Sequence, residues 1–158
     1  MNSSEKSIIA IGEAGFDKLK GPSPELQKIA FAEQVKIAEE NRLPVIIHCV
    51  RAWDELMAEH KRLKPSVPWL IHGFRGNSLL AGQLISKGIY LSFWFSFIAR
   101  PEASGLVRSI PVDRIFLETD GSGEDIKNIY RSVSAHLELD EATLRERIRS
   151  NFNQFFKI

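Results

Sequence analysis

The chain has 158 residues, 44% of them apolar and 26% charged, with a formal net charge of +1. This is the composition of one ordinary globular domain with a real core, and it excludes a global field that would steer the chain onto nucleic acid or an anionic membrane. Cys49 is the only cysteine, so no intrachain disulfide forms and a reducing, cytoplasmic setting is expected. No apolar run approaches the ~18 residues of a membrane span, and the polar start Met1–Lys6 has no signal-peptide character.

In chain order, Ile8–Ile11 reads as a buried strand and Gly12-Glu13-Ala14-Gly15 as the turn that follows it. Ser23-Pro24-Glu25 marks a helix start, with Ser23 as N-cap and Pro24 in the first helical position. That helix runs through Glu40 on an irregular stripe of Leu26, Ile29, Ala30, Val35, Ile37 and Ala38, and Asn41-Arg42-Leu43-Pro44 stops it. A strand over Val45–His48, a helix over Ala52–Lys64 and a strand over Trp69–His72 come next. Ser78–Lys87 is a predicted helix and Ile89–Phe93 a fourth strand. Phe93–Pro101 is aromatic and has no clear period. A short helix over Ala103–Ser109 precedes the strand Ile115–Glu118. Asp125–His136 is helical, and Asp140 caps a last helix, Glu141–Phe156, with Leu144, Ile148, Phe152 and Phe155 on one face.

Near-continuous apolar strands alternating with helices indicate an α/β fold of parallel strands joined by crossover helices. Five predicted strands fall short of the eight in a closed β/α barrel. The sheet is then open, or it is a TIM-type barrel that lacks its beginning.

Four of the strands lead into a residue type that binds metal or does chemistry: Glu13, His48, His72 and Glu118-Thr119-Asp120. A parallel barrel gathers its C-terminal strand ends at one mouth, where such residues converge. Taken singly, each has a plain explanation: a solvated turn acid for Glu13, a buried structural histidine for His48 or His72, a turn cap for Asp120. Their repeated position argues for a metal-hydrolase site. Glu118 either supports a ligand from behind or points into the barrel interior. Arg51, Arg75 and Arg100 are candidate phosphate contacts, weighed against ordinary solvated arginines.

The ordered runs Ala10-Ile-Gly-Glu-Ala-Gly-Phe-Asp17, Leu43-Pro-Val-Ile-Ile-His48, Ile71-His-Gly-Phe-Arg-Gly76 and Arg114-Ile-Phe-Leu-Glu-Thr-Asp120 resemble the TatD family of metal-dependent deoxyribonucleases, members of the amidohydrolase-like barrel hydrolases. Asn151 and Phe155-Phe156 fit that family's last helix. The resemblance covers nearly the whole chain and implies a single TatD-like domain over residues 1–158. It implies that Glu13 is a carboxylate shared by two metals and that His48 and His72 are ligands of one of them. It implies that Asp120 meets the other and orients or deprotonates the attacking water. The cofactor would be a divalent ion (Mg, Mn or Zn), the catalytic residues Asp120 and Glu13, and the substrate DNA or another phosphodiester.

The departures matter as much. The four histidines are His48, His60, His72 and His136, so the family's opening His-x-His is missing, and the barrel is expected to be N-terminally truncated. Ala52 stands where Asp usually follows Arg51, Arg75 replaces a usual Thr, and Gly121-Ser122-Gly123 replaces a usual Ala-Pro. The expected function is phosphodiester cleavage by metal-activated water. The alternatives are a weak or inactive barrel remnant acting as a structural or interaction module, and a hydrolase of the same superfamily that acts on a small amide or ester. An unprotected strand Ile8–Ile11 predicts either a homodimer or a requirement for a separate N-terminal piece.

Overall fold

The computed structural model describes residues 8–157, which divide after Val67 into two compact units. Five strands occur among the described residues, and within each unit the strands pair in parallel.

The first unit runs β1 (Ile11–Asp17), α1 (Pro24–Asn41), β2 (Val45–Val50) and α2 (Trp53–Leu63). Here β1 departs from the sequence expectation. Ile8 and Ile9 are 70% and 43% exposed rather than buried, and the Gly12–Gly15 stretch is strand rather than turn. The reason lies in the partner strand. Gly15 pairs with His48 and Asp17 with Val50, after a register shift between Ile11 and Ala14. A Cβ on Gly12 would stand 2.6 Å from the Ile46 carbonyl oxygen, and one on Gly15 only 1.8 Å from that of His48. These glycines let β1 lie against β2 at a separation that no side chain permits. The Gly12–Glu13 peptide bond is cis.

Helix α1 starts as its sequence predicts, with Ser23 Oγ accepting the Leu26 N–H at 3.4 Å. It ends at Arg42, whose left-handed backbone returns an N–H to the Ala38 and Glu39 carbonyls. Its buried row is Phe31, Val35 and Ala38, one face at helical spacing, and the Phe31 ring lies 5.1 Å from that of Phe16 on β1. Leu26, Ile29 and Ile37, part of the predicted stripe, are exposed on the opposite side. Helix α2 places Asp54 and Glu55 in its first turn and Lys61 and Arg62 in its last, in keeping with the helix dipole. Glu59 on α2 is buried, and its carboxylate takes hydrogen bonds from Arg62 Nε at 2.9 Å and an ion pair from Lys28 Nζ on α1 at 3.0 Å.

The second unit runs β3 (Trp69–Ile71), α3 (Ser78–Ile85), β4 (Tyr90–Phe93), α4 (Phe95–Ile98), α5 (Ala103–Arg108), β5 (Ile115–Leu117), α6 (Ile126–Leu137) and α7 (Glu141–Phe156). Strand β4 is central, paired with both β3 and β5. The aromatic stretch without a period resolves into the single turn α4, which buries Phe97 and Ile98. Asn77, Asp125 and Asp140 cap α3, α6 and α7 with their side-chain oxygens. Helix α7 buries Leu144, Ile148, Asn151 and Phe155, while Phe152 is 38% exposed. Asn151 takes the inward place assigned to Phe152 because its Nδ2 donates to the carbonyls of Val112 and Ile115, both at 2.8 Å. Phe155 packs edge-on against Tyr90 and Phe116, at 5.1 and 5.5 Å between ring centroids. No helix among the described residues is long and apolar enough to cross a membrane.

Candidate metal centre

Side chains alternate along a strand, so Glu13, Gly15 and Asp17 share one face of β1. His48 sits opposite Gly15 on β2. The missing side chain at Gly15 leaves an open cleft of about 340 Å³, lined by Glu13, Asp17, Lys20, Gln27 and His48 among others. Glu13 and His48 thus lie within their strands, not after them.

Asp17 organises the rim of this cleft. Its Oδ1 accepts the N–H groups of Leu19 at 2.7 Å and Lys20 at 3.0 Å, and its Oδ2 lies 3.3 Å from His48 Nε2. The backbone N–H of Leu19, above all, and the contact with His48 hold this carboxyl below the usual aspartate range. Gln27, one turn into α1, closes the loop. Its Oε1 accepts the Asp17 N–H at 2.7 Å, and its Nε2 donates to the carbonyls of Asp17 at 3.0 Å and Pro22 at 2.8 Å. Nothing in the sequence reading assigned Asp17 a role. The signal was its period-two spacing from Glu13 through Gly15.

In the second unit His72 follows β3 directly and is mostly buried. Glu118 follows β5, and its Oε1 lies 3.8 Å from His72 Nδ1 while accepting the Gly73 N–H at 2.5 Å. Of the two readings open for Glu118, the structure shows the one in which it stands beside a histidine. Ser92 Oγ also accepts the Gly73 N–H, at 3.2 Å, so the backbone just after His72 is held from two directions. Asp120 lies beyond the end of β5, exposed, with a left-handed backbone at φ 45°.

The arginines singled out in the sequence have local partners or lie at the surface. The Arg75 guanidinium lies 4.1 Å from the centroid of the Trp94 ring, Arg100 Nε donates to the Ser96 carbonyl at 3.1 Å, and Arg51 is exposed in a left-handed turn. His136 Nε2 contacts the Ile98 carbonyl oxygen at 2.9 Å, a structural role. Burial pushes the Cys49 thiol up to about 12, so this residue offers no thiolate as ligand or nucleophile at neutral pH.

Glu13 and His48 in the first unit offer a carboxylate and an imidazole to a metal ion, and His72 in the second offers a further imidazole. Two neutral imidazoles with a carboxylate are a donor set suited to a divalent transition ion. A carboxylate stands beside each imidazole, Asp17 at His48 and Glu118 at His72, the usual support for ligating histidines.

Parallel strands alternating with helices, with acid and imidazole donors in or just after the strands, are the architecture of an α/β chain of the barrel type. The chain matches the family model described as TatD related DNase over residues 2–157, and it belongs to that family. It is 33% identical over 122 residues to a Bacillus subtilis protein named as an uncharacterized metal-dependent hydrolase, YabD, covering 75% of this chain and 48% of that protein. It is 36% identical over 121 residues to the 3'-5' ssDNA/RNA exonuclease TatD of Cronobacter sakazakii, covering 73% of this chain and 46% of the relative. The chain thus spans about half the length of these curated relatives. The crystal structure of a TatD family hydrolase from Entamoeba histolytica superposes with a TM-score of 0.83 at 18% identity, covering 94% of this chain and 63% of the other. The fold is therefore that of the TatD barrel, present here with five strands among the described residues.

Proposed function

We propose that the chain provides a metal-dependent phosphodiester hydrolase centre whose substrate is DNA. Glu13, His48 and His72 hold one divalent ion, Mg²⁺, Mn²⁺ or Zn²⁺, and Asp120 serves as the acid–base group. The observation that carries this reading is the donor set itself, one carboxylate and two imidazoles on residues of the family's motifs. Once bound, a divalent ion supplies Lewis-acid polarisation of a phosphate oxygen and lowers the pKa of water. The chain's own part is to fix the donors. Gly15 admits His48 beside Glu13, Asp17 backs His48, and Glu118 backs His72. Single-stranded DNA is the substrate form to test first, since one relative is named for exonuclease action on it. A cytoplasmic setting fits the single, half-buried cysteine.

One observation favours a second reading. Asp120 lies beyond the end of β5, exposed to solvent. A chain holding one ion but not two would be a weak hydrolase or an interaction module. Hydrolysis of a labelled single-stranded oligonucleotide with Mn²⁺ or Zn²⁺ separates the two readings. On the hydrolase reading, the parent degrades the strand, His48→Ala/His72→Ala does not bind the ion, and Asp120→Asn binds it but is inactive, because an amide is a far weaker base. No cleavage by the parent, with ion binding retained, leaves the interaction module.

A further inference from the structure

The strand ends of the second unit are stitched together just after His72. The Gly73 N–H donates to Glu118 Oε1 at 2.5 Å and Ser92 Oγ at 3.2 Å, the Phe74 N–H to the Ser92 carbonyl at 2.9 Å, and the Glu118 N–H to the Phe93 carbonyl at 3.0 Å. The Phe74 ring is fully buried and lies edge-on to that of Phe93, 6.3 Å between centroids. Arg75 follows Phe74 and Trp94 follows Phe93, and the two side chains meet, with the guanidinium 4.1 Å from the centroid of the indole ring. Arg75 is exposed, and no hydrogen bond or ion pair to a described residue engages its guanidinium. A guanidinium over an aromatic face keeps its in-plane N–H donors available. Trp94 is half-buried, and its Nε1 is buried without a hydrogen-bond partner among the described residues. A buried donor left unsatisfied is destabilising, so packing alone would favour a phenylalanine there. What tryptophan adds is its ring face, the best aromatic face for a cation.

We propose that Arg75 is a substrate-binding residue that engages a phosphate of single-stranded DNA, and that Trp94 positions it. The identity of the strand rests on the hydrolase reading. The pair follows the C-terminal ends of β3 and β4, the strand ends that in this unit also lead to His72 and Asp120, and parallel barrels bind substrate at such ends. The net charge is only +1, so a strand has to be held by a few fixed cations rather than by a broad basic field. A planar fork of donors matches phosphate oxygens in pairs, as an ammonium does not.

Fluorescence anisotropy of a short labelled oligo-dT, read in EDTA so that nothing is cleaved, tests this over a series of salt concentrations. Arg75→Gln should weaken binding roughly 10–100-fold, the scale of a hydrogen bond to a charged group. It should also flatten the slope of log K against log salt by about 0.7, the value for one phosphate on a single strand. Arg75→Lys should keep the slope and lose part of the affinity. Trp94→Leu should lose roughly 2–5-fold, the worth of an exposed cation–π contact, with the slope unchanged. Oligo-dA should show the same losses, because a phosphate contact carries no base identity. Arg147→Gln, an exposed charge on α7, should bind like the parent, and the Arg75 variants should melt with it. Equal affinity and slope in parent and Arg75→Gln overturn the proposal. So do a parent that binds no oligonucleotide, an equal loss in Arg147→Gln, and a loss confined to one base. If Arg75→Gln loses binding but the parent cleaves no strand with Mn²⁺ or Zn²⁺, the phosphate contact stands and the hydrolase reading falls. If the parent cleaves and Arg75→Gln binds equally well, only the role of Arg75 falls.

Discussion

Gly15→Ala tests the link between the backbone of β1 and the candidate centre. The added Cβ would stand 1.8 Å from the His48 carbonyl oxygen, whereas ordinary contact begins at 3.4 Å. The obstacle is backbone, so no side chain can swing aside. The strands would have to part by about 1.6 Å, a third of their ~4.8 Å spacing. A displacement of that size breaks the ladder hydrogen bonds flanking the pair. Two bonds at ~1 kcal/mol each, with packing strain of ~1–3 kcal/mol, give a loss of about 3–5 kcal/mol. For a protein of this length that is a fall in Tm of roughly 6–20 °C, measurable by calorimetry or circular dichroism. Because Gly15 and His48 are register partners, the same change should weaken Zn²⁺ or Mn²⁺ binding at temperatures where the protein is folded. A variant that melts within 2 °C of the parent, by the same ~2–4 °C per kcal/mol scale, and binds the ion equally would show that the close approach of β1 and β2 does not organise the site.

Glu59→Gln should lower stability at pH 7 by about 2 kcal/mol, the scale of a hydrogen bond to a charged group. The Arg62 hydrogen bond, then that of Lys28, holds the Glu59 carboxyl below its ordinary range, so its contribution is present above the unfolded-state pKa and lost as pH falls through the lower folded value. The gap between parent and variant in urea midpoint should therefore narrow as the pH falls below the usual carboxylate range, and a gap that stays constant from neutral to strongly acid pH would contradict the assignment. Cys49, with its thiol pushed up to about 12, should react with a disulfide reagent at pH 8 only after denaturation, and rapid stoichiometric labelling of the native chain would count against its burial. Leu26, Ile29 and Ile37 on the outer face of α1, with Ile8 and Ile9 ahead of β1, are exposed apolar groups in the first unit, and we expect sedimentation at micromolar concentration to show a homodimer that Leu26→Glu/Ile29→Lys dissociates. A monomeric parent would refute it.

What the sequence made legible was whatever depends on near neighbours. Ser23 before Pro24 and Asp140 before Glu141 mark true helix starts because a cap acts within three residues. Glu13, His48 and His72 stood out because apolar runs rarely lead into such groups three times over. The misreadings share a different cause. A glycine in a turn and a glycine that admits a neighbouring strand look alike until the neighbour is known, and so Gly12–Gly15 was taken for a turn. The inward face of the last helix takes Asn151 in place of Phe152, because the Asn151 amide meets two carbonyls more than thirty residues away. Asp17 was overlooked because its three partners, Leu19, Lys20 and His48, are joined only once β1 lies beside β2.

The amide of Asn151 also bears on the order in which the chain is made. Val112 and Ile115 leave the ribosome 39 and 36 residues before the side chain that satisfies their carbonyls. Until α7 has emerged, that end of β5 has water as its hydrogen-bond partner, and the aromatic pair Tyr90–Phe116 lacks the Phe155 ring that covers it. The first unit makes no such demand, since its strands and helices are complete by Val67. Synthesis from the N-terminus therefore lets the half of the chain that carries Glu13 and His48 settle early, while the half that carries His72 waits for the last helix.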